Sequence, residues 1–274
     1  MKGRKGFFRC ARLAALAAAA LLLFTAVLFA GQIAPYDPNA QLFDVLQPPG
    51  PGHIAGTDRL GRDLFSRILA GLQTSVLSAL CLTAVTAAAG TLAGMAGGWA
   101  GGPADSLLMR TADICLAFPG LVLALAAAAL LGGGLANAML ALAAVSWPKY
   151  ARLSRSQTLV LKHADFIAAA RLAGDSSLQI LGRHVLPNLA GPVLVTAVLD
   201  TGTMMMELAA LSFLGLGAVP PTAELGSMMS GGRSLLQTCP WVVLGPGIAM
   251  CLAAAVLNLL GDAARDVLDP KSRF

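Results

Sequence analysis

Asp113, Asp200 and Glu207 stand in or at the edge of long apolar runs, where an ionised side chain is disfavoured. Such groups usually face a cavity or a partner rather than lipid. Asp200 and Glu207 are seven residues apart, two helical turns, and so share one helix face. Two chemistries fit them: carboxylates along the route of a positively charged cargo, or hydrogen bonds to a neighbouring helix. Arg110 and Asp113 are three apart and can pair on one face. Hydrolytic chemistry has little to work with. His53, His163 and His184 all fall outside the apolar runs, and no G-x-S-x-G or H-E-x-x-H occurs. The absence of G-x-x-x-x-G-K-[ST] excludes ATP binding through a phosphate-binding loop. Met204, Met205 and Met206 invite a soft-metal reading, but three consecutive residues point in different directions, which favours packing. The five cysteines have no C-x-x-C spacing, and Cys81, Cys115 and Cys251 sit in apolar runs as small hydrophobes. No catalytic residue, metal ligand or cofactor is expected.

The elements that position these residues follow from composition. Of the 274 residues, 57% are hydrophobic and 12% charged, against about 25% charged in a soluble domain. Mean hydropathy is +0.73. A single soluble core of this length cannot bury so much apolar surface, so the bilayer is the expected solvent. Continuous rather than alternating apolar runs exclude a barrel. Abundant Ala and Gly suit closely packed membrane helices. An all-α protein with six spans is expected: Leu13–Ala30, Leu72–Ala96, Ala104–Leu131 with an interruption at Pro119, Leu135–Tyr150, Pro187–Gly217 and Pro240–Leu260. Leu28 stands where a signal-peptidase site wants a small residue, so the first helix is expected to be retained.

Between the first two spans, five prolines from Pro35 to Pro51 prevent regular helix. Thr57-Asp58 then predicts a capped amphipathic helix from Leu60 to Leu69, lying on the outer surface or serving as a gate or docking element. Residues 218–239 read as a polar loop and 263–274 as a polar tail. The expected organisation is 1–71 as a first helix plus extension, 72–262 as the main membrane domain, and 263–274 as the tail.

A net charge of +5 is read as topology rather than as nucleic-acid binding. With the N-terminus inside, only Arg59, Arg62, Arg67 and Arg233 fall outside, and the other 15 of the 19 basic residues are cytoplasmic. This places both termini in the cytoplasm, and with them Asp165–Asn188, a charged stretch reading DFIAAARLAGDSSLQILGRHVLPN. Gly174 can end one short helix there in a left-handed conformation. Asp175 can cap a second, with Leu178, Leu181 and Val185 on one side, and Pro187 suits the first turn of the following span. The small surface at Ala168 to Ala170 lets a partner approach closely.

This stretch resembles the cytoplasmic coupling loop of ABC importer permeases, whose motif reads E-A-A, then Gly four residues on, then L-P about a dozen residues later. Ala169, Ala170, Gly174, Leu186 and Pro187 match; Ala168 replaces the usual Glu, so a salt bridge from that position is missing. Gly56–Leu69 (GTDRLGRDLFSRIL), Ser146–Leu153 (SWPKYARL), Leu211–Gly217 (LSFLGLG), Leu259–Pro270 and Ala34–Gln41 together resemble the second permease subunit of the peptide/nickel importers over nearly the whole chain. The resemblance implies a type I importer bundle in the bacterial inner membrane, surrounded by lipid. It also implies a second homologous permease, two cytoplasmic ATPase subunits at the coupling loops, and an extracytoplasmic substrate-binding protein. Residues 165–187 would be the coupling loop, with Asp200 and Glu207 candidates for the pathway. The segment LDTGTMMMELAALSFLGLGAVPPTAELG resembles nickel-transporting members, so nickel, as the ion or as a chelate, is the expected cargo, with di- or oligopeptides as the alternative. An ion-coupled carrier using Asp113, Asp200 and Glu207, or a membrane scaffold, are readings of another class; no inverted repeat is evident for a carrier.

Overall fold

The computed structural model describes residues 16–268, so the basic residues before Leu13 and the last six residues of the tail lie outside the described residues. Helices dominate, and among the described residues there are no strands, only two isolated bridges. Helical segments occupy the places of all six expected spans. The first is α1, Leu16–Leu28, followed by the four-residue turn α2, Ala30–Ile33. The second is α3, Leu64–Ala100, and the third is the pair α4, Gly102–Ala117, and α5, Gly120–Leu130. The fourth is α6, Leu135–Leu161. Two short helices follow: α7, Asp165–Leu172, and α8, Ser177–Ile180. The fifth span is α9, Leu186–Phe213. After α10, Leu225–Gly232, comes the sixth, α11, Trp241–Leu268. Length and apolarity alone qualify α3, Ser177–Phe213 and Trp241–Ala263 to cross a membrane, and α4 with α5 as a fourth, broken span.

Three expectations are corrected. The Leu60–Leu69 surface helix does not form. Asp58 takes the amides of Leu60 and Arg62 into a turn (2.8 and 3.1 Å) in which Gly61 has φ +69°. Helix begins only at Leu64, where the Asp63 carboxylate accepts from the Ser66 amide at 2.8 Å. Without a proline after it, α3 then runs unbroken for 37 residues, about 55 Å at 1.5 Å per residue. The third span is interrupted at Pro119 as expected, and the proline separates α4 from α5, which meet at 97°. Residues 218–239 are not all loop, because buried Glu224 caps α10, accepting from Gly226 and Ser227 amides at 3.0 and 2.8 Å and from Ser75 Oγ at 3.1 Å. Finally, α11 continues as helix through the expected start of the tail.

α3 and α9 are the central helices, since each contributes to all three apolar clusters. Leu72, Val76, Met205 and Ala209 join Leu23 and Val27 of α1 and Met250, Ala253 and Leu257 of α11. Leu82, Met204, Leu208 and Leu211 meet Ala124 and Ala128 of α5 and Ala141 and Leu142 of α6. Met95 and Leu189 close the end that carries α7 and α8. Met204 and Met205 are thus buried in two different clusters, while Met206 is exposed, so the methionine run is packing rather than one ligand set. Many large apolar side chains remain uncovered around the outside, among them Leu77, Val85, Leu92, Ile114, Leu140 and Leu252, as expected of a surface solvated by lipid.

Against α6, α3 presents Gly90, Gly94 and Gly98, spaced every fourth residue. A Cβ on Gly94 would sit 2.0 Å from the Ala151 carbonyl oxygen, and one on Gly90 2.5 Å from that of Trp147. The two backbones are therefore in direct contact, which only glycine permits.

Candidate functional site

The polar segment between α6 and α9 is built as a small folded unit on the end of α3. Ile167 and Ala170 of α7, Ile180 of α8 and Val185 are buried together with Met95 and Leu189. Lys162 donates from Nζ to the Trp99 carbonyl at 2.6 Å, and the Arg171 guanidinium lies 5.0 Å from the Trp99 ring centroid. Gly174 has φ +93°. The Gly174 amide donates to Arg171 O and the Asp175 amide to Ala170 O, both at 3.1 Å, which makes the left-handed helix end expected of this glycine.

The second half departs from expectation. Ser176, not Asp175, caps α8, through a reciprocal capping box with Gln179. Asp175 instead stands 3.6 Å from His184. Leu178 is 82% exposed, whereas Ile180 and Val185 are buried. A spacing of five between buried residues is explained by the π turn at Leu181–Val185, in which the Leu186 amide donates to Leu181 O. Pro187 follows directly and has no amide to continue a regular ladder. Through this turn α8 and α9 form one apolar stretch from Ser177 to Phe213.

Of the expected coupling residues, Ala168, Ala169, Gly174, Leu186 and Pro187 are exposed, and Ala170 is buried as a packing residue. Small residues on the outside leave the α7 backbone open to close approach. Sequence reasoning missed the large apolar residues around them: Leu172 is 90% exposed and Phe166 44%. The signal was available, since Leu172 follows Arg171 within the motif itself. The unit thus holds Leu172 and Leu178 outward beside these small residues.

Three carboxylates, on α4 and α9, pair with cations of α6. Arg155 of α6 makes two hydrogen bonds to Asp105 of α4, at 2.6 and 2.7 Å. Asp113 pairs with Arg152 of α6, not with Arg110 as expected, because α4 lies against α6. Asp200 is buried and committed: it pairs with Lys149 and accepts from the buried Tyr150 hydroxyl at 2.9 Å. This is the hydrogen bond to a neighbouring helix that was one of its two readings. Glu207 is half-buried two turns further along and has no ion-pair or hydrogen-bond partner among the described residues. Asp200→Ala leaves Lys149 and Tyr150 unpartnered and is expected to destabilise by about 2–3 kcal/mol, less than a fully buried pair because Lys149 is half exposed. Asp113→Ala, in an exposed pair, is expected to cost under about 1 kcal/mol. Thermal unfolding of the two purified variants side by side checks the ranking.

Residues 88–274 match the family described as binding-protein-dependent transport system inner membrane component. Among curated relatives, the probable D,D-dipeptide transport system permease protein DdpC of Escherichia coli is 44% identical over 92% of this chain and 85% of its own. The di/tripeptide transport system permease protein DppC of Pseudomonas aeruginosa is 42% identical over 92% and 85%. The glutathione transport system permease protein GsiD of Escherichia coli is 44% identical over 92% and 84%. Among solved structures, the MetNI methionine ABC transporter in inward facing conformations matches with a TM-score of 0.53 at 18% identity, over 72% of this chain and 95% of the other. At that identity the likeness shows the type I importer permease fold.

Proposed function

Because the chain belongs to the family of inner membrane components of binding-protein-dependent transport systems, and is thus an ABC importer permease whose ATP hydrolysis resides in separate subunits, we propose that it forms half of an import pathway for short peptides. The cargo reading rests on relatives at 44% and 42% identity that carry dipeptide, di/tripeptide and glutathione names. The nickel expectation rested on the Leu199–Gly226 segment, in which Asp200 is committed to α6 and two of the three consecutive methionines are core. Peptide import is therefore preferred to nickel.

In this reading a second homologous permease covers the other side of the pathway, and Glu207, half-buried and unpaired, faces it. The Asp165–Val185 unit docks one of two ATPase subunits through Ala168, Ala169, Leu172, Gly174 and Leu178, with Leu186 and Pro187 at its edge. That end is cytoplasmic, together with both termini, and a binding protein delivers cargo at the opposite end. The observation that carries the reading is the rigid unit itself, with small residues and two exposed leucines on its outer face and a core shared with α3 and α9. Movement imposed on it passes directly into the two central helices.

Uptake of labelled di-alanine and of radioactive nickel by proteoliposomes containing the assembled transporter tests the cargo. Expected is ATP-dependent di-alanine uptake, blocked by excess unlabelled dipeptide and unaffected by nickel. Nickel uptake without peptide uptake overturns it, and uptake driven by a proton gradient without ATP favours the carrier reading.

A further inference from the structure

At the end of the bundle opposite the docking unit lies a cavity of about 710 Å³. Its walls come from the 58–67 turn and start of α3, the end of α9 with the loop after it, α10 and the following 3-10 turn. Arg59, Arg62, Arg67 and Arg233 all line it, and Asp58 is the one carboxylate that does. These are the same four basic residues that the charge distribution along the chain sets apart from the other 15. Residues far apart in sequence have been brought into one chamber.

The charge in this chamber is not balanced from within. Asp58 is shared by two guanidiniums: Arg62 at 2.7 Å and Arg67 at 3.5 Å, with all three side chains largely buried. Arg67 is a structural member, since its Nη1 is spent on Pro38 O and Asn39 Oδ1 at 3.0 and 3.2 Å. The other three arginines retain free donors. Arg62 uses Nε and Nη2 on Asp58, leaving Nη1 without an acceptor among the described residues. Arg59 reaches the Ser234 hydroxyl, which ties the 58–62 turn to the segment carrying Arg233. Arg233 itself is exposed and has no acceptor among the described residues. Leu214, Val219, Met228 and Val242 supply apolar wall between the cations. A concave site of a few hundred Å³ that combines apolar wall with a few convergent charges has the size and character of a small-molecule site. Guanidinium forks recognise a planar carboxylate.

We propose that this cavity binds the C-terminal carboxylate of a short peptide, held between Arg59, Arg62 and Arg233, as the first station of cargo leaving its binding protein. The proposal rests on the peptide-import reading for the identity of the ligand, and on the geometry above for the carboxylate. A positive chamber at the mouth also raises the local concentration of an anionic end before the peptide enters the path. Arg59 and Arg233 carry the test, because both are exposed and neither is part of the buried Asp58 cluster that shapes the turn.

The assembled transporter in phosphatidylcholine nanodiscs, without binding protein, is titrated with tri-alanine and with tri-alanine amide. Wild type is expected to bind the acid at least about tenfold more tightly than the amide. Arg59→Gln and Arg233→Gln are each expected to weaken acid binding about tenfold or more, to leave amide binding unchanged, and to keep the wild-type unfolding temperature. Arg233→Lys recovers part of the loss, and added salt erodes the acid preference. Equal binding of acid and amide, or wild-type affinity in both glutamine variants, overturns the site. Tri-alanine uptake that persists in those variants, with acid and amide bound alike, sinks this inference and leaves the import reading standing. Arginine-dependent carboxylate binding with no peptide uptake by the intact transporter does the reverse.

Discussion

Gly174→Val is expected to lower ATP-dependent uptake by the assembled transporter roughly tenfold or more, while the chain still inserts into the membrane. Gly174 holds φ +93°, and nothing lies within 4 Å of the place its Cβ would occupy. The effect therefore cannot come from a clash within this chain. It comes from the backbone: a left-handed conformation costs an ordinary residue about 1–2 kcal/mol, and a β-branched one more. The Arg171 and Ala170 carbonyl bonds that join α7 to α8 depend on that conformation. A cost of 1–2 kcal/mol changes the population of the ordered joint by about 5- to 30-fold. Gly174→Asn separates the two ways the residue can matter. Asparagine tolerates the left-handed region, so it restores most uptake if conformation is what the docking unit needs. If asparagine fails as badly as valine, the partner is touching the glycine itself. Wild-type uptake in the valine variant would count against any coupling role for the segment.

The Asp165–Val185 unit and the bundle were legible in the sequence to different depths for physical reasons. Gly174 was readable because a local feature, a glycine between two helical fragments, decides it. The exposure of Leu178 was not, because the π turn at Leu181–Val185 shifts the register and nothing in LGRHV announces it. The expected Leu60–Leu69 helix had the right periodicity, but Asp58 and Gly61 close a turn first, and Asp63 proves the better cap. Arg110 and Asp113 looked like a pair because sequence shows neighbours on one helix only. The pairing of Asp113 with Arg152 depends on α4 crossing α6, which is tertiary information. For Asp200, the sequence left two roles open, and only the approach of Lys149 and Tyr150 chose between them. The Arg59–Arg233 chamber is the extreme case. Its members were counted in the sequence as four exceptions to a charge bias, and only the fold shows that they meet.

Gly94→Leu is expected to be the most damaging single change to the fold itself, for reasons that tie the glycine stripe to the charge pairs. A Cβ at Gly94 would lie 2.0 Å from Ala151 O and 2.7 Å from Ala151 C and Cα, and a neighbour that is backbone cannot rotate away. Relief requires α3 and α6 to separate along much of their length, since Gly90 and Gly98 are in similar contact with Tyr150 and Arg155. α6 also carries Lys149 and Tyr150 to Asp200, Arg152 to Asp113 and Arg155 to Asp105. Displacing it by an ångström lengthens hydrogen bonds now at 2.6–2.9 Å beyond useful range, so lost packing and lost polar contacts add. Overpacking of a core typically costs about 1–3 kcal/mol. Gly94→Ala is expected within that range, and Gly94→Leu above it, with poor recovery of folded protein. Gly182→Ala and Gly191→Ala, where nothing lies within 4 Å of the added Cβ, serve as controls and should unfold like wild type. Thermal unfolding of the four purified variants measures the order; a wild-type unfolding temperature for Gly94→Leu would show that α3 and α6 are not held at this distance.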